Sequence, residues 1–107
     1  MDYSAKLITP EAAVKLVKSG DVIVTGLGGA EGRLFLQALH TVADQVNNVT
    51  VTNCLPMSDA AFMGEAYKNT FFVDGWFYSP TLRKAHKNGN ISFIPNHLHL
   101  AGIKRLA

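Results

Sequence analysis

The sequence predicts an α/β fold with an open, mostly parallel sheet and flanking helices, and three observations predict it. Two β-branched runs, Val22-Ile23-Val24-Thr25 and Val49-Thr50-Val51-Thr52-Asn53, bracket a segment from Leu34 to about Gln45 with apolar residues at helical spacing. A strand–helix–strand crossover of that length almost always returns parallel and right-handed, so a doubly wound sheet is the natural expectation. The turn Gly26-Leu27-Gly28-Gly29-Ala30-Glu31-Gly32 falls between the first strand and the helix, at the edge where open sheets bind ligands.

The elements follow in order. Thr9-Pro10-Glu11 opens a helix as N-cap, first helical position and acidic first turn. Ala12, Ala13, Leu16 and Val17 form its expected apolar stripe, and Ser19-Gly20 its stop. Val22–Thr25 reads as a central strand covered on both faces. Asn47-Asn48 marks the turn into the second strand. The segment from Leu55 to Asn69 reads as a loop with a short helix around Ala60 to Gly64, and Phe71-Phe72-Val73-Asp74 as a third strand. Ser79-Pro80 starts a helix through Lys87 that Asn88-Gly89 closes. Ile91-Ser92-Phe93-Ile94 is a fourth strand stopped by Pro95, and a further helix is expected to begin at Leu98.

A length of 107 residues fits a single domain, 1–107. Charged residues make up 17% and apolar residues 48%, a sparser charge coat than the ~25% of an average soluble domain. Such a surface implies cover from a partner subunit or from further polypeptide, so oligomerisation is expected. The formal charge of +2 is scattered over lysines and arginines without a basic stripe, which argues against nucleic acid. The lone Cys54 suits a reducing cytosol, and no run reaches the ~20 apolar residues of a membrane span. The expected location is cytoplasmic, with no membrane partner.

The glycine turn is the first candidate site. Glycines there can expose main-chain amides at a helix start to a phosphate, carboxylate or thioester oxygen, so Gly26, Gly28 and Gly29 are the candidate substrate-binding residues. The dinucleotide fingerprint does not fit, because Glu31 stands where its last glycine or alanine belongs, and no acidic residue ends the second strand. His97 and His99 are two apart but lack a third ligand in sequence, so no metal site is expected. His40 and His86 are expected to face solvent. Cys54 reads as a small core residue. The aromatic group Phe71, Phe72, Trp76, Phe77 and Tyr78 could wall a pocket or serve packing and subunit contact. Glu11 starts a helix, while Glu31 and Glu65 have no evident acid–base partner.

Three segments in this order resemble the acetyl-CoA hydrolase and 4-hydroxybutyrate or butyryl CoA-transferase family, within the class I CoA-transferase superfamily. They are the opening from Tyr3 to Gly20-Asp21-Val22, the turn from Val24 to Gly32, and a block holding Asn69-Thr70-Phe71-Phe72-Val73, Arg83-Lys84-Ala85, Asn88-Gly89 and Phe93-Ile94-Pro95. The resemblance implies an enzyme that passes coenzyme A between a thioester and a small carboxylate through a glutamyl-CoA thioester. It also implies that this chain is the amino-terminal part of the amino-terminal domain. The covalent glutamate and principal oxyanion hole would then belong to the carboxyl-terminal half, the chain's partner, and catalytic residues are expected to be absent here. Coenzyme A enters as substrate, and no cofactor is implied. After Pro95 the sequence Asn96-His97-Leu98-His99-Leu100 departs from the family's hydrophobic-Leu-Ser-Glu pattern, which leaves acyl specificity open. The rival readings are a small non-catalytic phosphate- or nucleotide-binding α/β module and a purely structural subunit.

Overall fold

The computed structural model describes residues 4–26, 28–53, 55, 57, 59–77 and 79–94. Four parallel strands, β1 (Val22–Val24), β2 (Val49–Asn53), β3 (Phe71–Gly75) and β4 (Ile91–Phe93), lie side by side in chain order. The helices are α1 (Pro10–Val14), α2 (Arg33–Ala38) and α3 (Pro80–Ala85), and the latter two run on into 3-10 turns at Leu39–Val42 and His86–Asn88. Two further 3-10 turns, Ala61–Met63 and Glu65–Tyr67, link β2 to β3. Among the described residues no helix is long and apolar enough to cross a membrane.

Local chemistry sets the element boundaries. The Thr9 hydroxyl accepts from the Ala12 N–H at 3.1 Å, and the Ser79 hydroxyl from the Leu82 N–H at 3.4 Å, each with proline at the start of the helix that follows. Gly89 takes a left-handed φ of 85° behind the 3-10 turn, and Gly20 a φ of 84° before β1. Asn48, with φ 56°, turns the chain into β2.

The strand register aligns Ile23, Val51, Val73 and Ile91 across one face. All of the α-helices pack on that face: Val14, Leu36, Leu39, Val42, Phe62, Met63 and Leu82 join Val49, Val51, Phe71 and Val73 in one core. Phe62 meets Phe71 edge-on at 5.8 Å. Sequential strand order with crossovers of one hand keeps every connection on the same side, whereas double winding requires the order to reverse. The described residues are therefore singly wound.

Besides the double winding, two sequence expectations change. Among the described residues the first strand is an edge strand, not a central one, and its Val22 and Val24 are 55% and 64% exposed. The first helix buries Val14 and turns Leu16 outward at 69% exposure, because it ends after five residues and Leu16 lies in a turn beyond it. Of the aromatic group, left open between a pocket wall and packing or contact, Phe71 is core, Phe72 points to the opposite face, and Phe77 is exposed. That is the alternation of a strand followed by a loop. Tyr78, Cys54, His97, His99 and the expected helix from Leu98 lie outside the described residues.

Candidate functional site at the carboxyl edge of the sheet

The glycine turn leaves the carboxyl end of β1 at the molecular surface. The β1–β2 ladder is prolonged to the turn by the Thr25 N–H, which donates to the Thr52 carbonyl at 3.1 Å. Gly28–Ala30 then forms a single 3-10 turn, and α2 begins after Gly32, which offers no side-chain cap. Gly26, Gly29 and Ala30 are exposed. None of Gly26, Gly29 and Gly32 has a left-handed φ, so handedness does not explain these glycines. At Gly26 the reason is space: an added Cβ would strike the Ala30 carbonyl group. A Cβ added at Gly29 would meet nothing within 4 Å among the described residues, leaving room outside the main chain there. The Thr25 hydroxyl is buried with no hydrogen-bond partner among the described residues.

Glu31 is the residue that sequence reasoning missed. Its side chain turns inward, leaving the residue 8% exposed, and Oε1 accepts from Asn53 Nδ2 at 2.6 Å and from the Met57 N–H at 3.4 Å. Asn53, at the end of β2, is itself buried, and its Oδ1 accepts from the Leu55 N–H at 3.0 Å. The loops after β1 and β2 are thus joined by side chains beyond the ladder. Beneath the pair is a void of about 10 Å³ lined by Leu36, Val51, Phe62 and Val73, about the minimum that admits one water. The only sequence cue was an acidic residue inside a glycine turn and an amide side chain ending the next parallel strand.

A second cavity, of about 380 Å³, opens on the far side of Ala60 and Met63, between them and α3, with Asp59, Glu65, Lys84 and Lys87 at its rim. The candidate glycines do not line it. Lys84 and Asp59 approach to 3.8 Å there, both well exposed, a geometry that contributes little in water. His40, expected to face solvent, instead tucks its Nδ1 inward and packs on Tyr67 with ring centroids 5.7 Å apart. Among the described residues no three His, Cys, Asp or Glu side chains converge as a metal site would require.

The described residues thus form a parallel α/β unit that gathers its loops and an exposed glycine turn at the carboxyl edge of its strands. Comparison with known proteins narrows the class. The model of the acetyl-CoA hydrolase/transferase N-terminal domain matches residues 1–104, and the chain belongs to that family. It is 28% identical over 98 residues to the succinyl-CoA:cyclohexane-1-carboxylate CoA transferase of Geobacter metallireducens, covering 92% of this chain and 22% of the relative. The same fold occurs in the crystal structure of RipA from Yersinia pestis, at TM-score 0.80 and 24% identity over 92% of this chain and 26% of that one. A RipA variant superposes at TM-score 0.82 over 98% of the chain, also covering 26% of that protein. The chain thus spans about a quarter of the length of these relatives.

Proposed function

We propose that this chain is the substrate-side α/β portion of an acyl-CoA:carboxylate CoA-transferase or acyl-CoA hydrolase. In this reading a coenzyme A thioester lies against Gly26, Gly28 and Gly29, and the nucleophilic glutamate comes from polypeptide beyond residue 107. One observation carries it: in a chain of this family, the glycine turn stands exposed at the carboxyl edge of a parallel sheet with open space beside Gly29. Bare main chain there lets a bulky thioester approach more closely than any side chain would allow. A carboxylate attacking the thioester carbon builds negative charge on its oxygen, which in this reading the carboxyl-terminal part stabilises, while the glycine main chain borders the bound thioester.

The exposed Val22, Val24 and Phe72, and the unpaired outer edge of β1 among the described residues, support a partner on that side. The partner in this proposal is the carboxyl-terminal part of the same enzyme, assembled as a cytoplasmic homo-oligomer. The phosphate-module reading is weaker, because α2, whose start would have to hold the phosphate, is only six residues long.

The test is thioester exchange between acetyl-CoA and a small carboxylate. It compares the 107-residue chain alone with the chain fused ahead of the remainder of the Geobacter transferase. Exchange by the fusion and none by the chain alone is expected. Turnover by the chain alone, or a folded fusion without exchange, contradicts the proposal.

A further inference from the structure

We infer that Glu31 is a positioning residue that latches the glycine turn to the loop after β2 and so fixes the mouth of the thioester site. The inference rests on the functional reading above for what the mouth receives, but the latch itself stands on geometry. Beyond the last β1–β2 ladder bond, at Thr25, a side-chain link takes over: Asn53 Nδ2 donates to Glu31 Oε1 at 2.6 Å, and the Met57 N–H reaches the same oxygen at 3.4 Å. A carboxylate only accepts, so it suits two donors, and a buried bond to a carboxylate is stronger than one between neutral groups. The main chain of Glu31 is held as well, its carbonyl accepting from the Arg33 N–H at 2.9 Å. Asn53 is in turn fixed by its place in β2 beside Gly75 and by the Leu55 N–H on its Oδ1. One acidic side chain therefore sets the separation of the two loops that flank the exposed glycines.

A polarity swap tests this. Asn53→Asp sets two acceptor-only carboxylates against each other. Adding Glu31→Gln restores a donor to that pair while leaving a carbonyl oxygen for Met57. Amide hydrogen exchange is read in the 107-residue chain at residues 28–33 and Met57, with Val51 and Val73 as core references. Asn53→Asp is expected to speed exchange about tenfold at the turn and Met57 alone, and the double variant to return it to within about threefold. Unchanged exchange at the turn, equal acceleration at Val51 and Val73, or no recovery in the double variant overturns the latch.

In the fusion, Asn53→Asp is expected to raise KM for acetyl-CoA about tenfold with kcat within about threefold. An unchanged KM overturns the positioning role. If the unsubstituted fusion has no activity, the functional reading fails, and the exchange rates alone decide whether the latch exists.

Discussion

Replacing Gly26 by alanine probes whether the turn after β1 is shaped by space. The added Cβ would fall 2.8 Å from the Ala30 carbonyl carbon, 3.0 Å from the Ala30 Cβ and closer still to the carbonyl oxygen. Those are main-chain and Cβ atoms that no rotamer change can move aside, so the 3-10 turn itself must shift. Overpacking of this kind costs roughly 1–3 kcal/mol. Taking ~2 kcal/mol, and about 4–8 °C per kcal/mol for a domain of this size, the Tm should fall by roughly 8–16 °C. Gly29→Ala is the matched control, since none of the described residues lies within 4 Å of its added Cβ. It should stay within about 0.5 kcal/mol, as surface substitutions usually do. Thermal unfolding followed by circular dichroism reads both variants. A Gly26→Ala chain that melts with the parent, or a Gly29→Ala chain that loses as much, would refute the reasoning.

Leu82 is fully buried beneath β3, with its side chain against Gly75, so Leu82→Ala should cost roughly 2–5 kcal/mol in urea unfolding through the cavity it leaves. Ser79→Ala removes the hydroxyl that caps α3 and should lower stability by about 1 kcal/mol in the same assay. Asp59→Asn breaks an exposed 3.8 Å ion pair with Lys84 and should change the urea midpoint by no more than the equivalent of about 0.5 kcal/mol.

Much of the fold was legible because its signals are local. Proline behind Thr9 and Ser79 marked two helix starts, Gly89 closed the turn after α3, and the runs at 49–53 and 71–74 marked two strands that give Val49, Val51, Phe71 and Val73 to the core. The place of β1 was not legible, since Val-Ile-Val reads alike in a strand covered on both faces and in one that, among the described residues, lies at the sheet edge with its valines exposed. Helix length was overestimated for a similar reason. Leu34 and Leu16 fit a helical stripe, yet α1 stops at Val14 and α2 tightens into a 3-10 turn at Leu39. At the site, the exposed turn could be placed from its glycines. The Glu31–Asn53 bond could not, because it joins residues 22 apart that meet only once parallel pairing brings two strand ends together.

The central claim is that the main chain at Gly28 and Gly29 faces the thioester. Titrating the isotope-labelled chain with acetyl-CoA while following its amide resonances tests this most directly. Saturable shifts at Gly28, Gly29 and Ala30, with Thr81 and Lys84 at the second cavity unmoved, are the predicted result. Shifts confined to the residues around that second cavity, with the glycine amides silent, would contradict it.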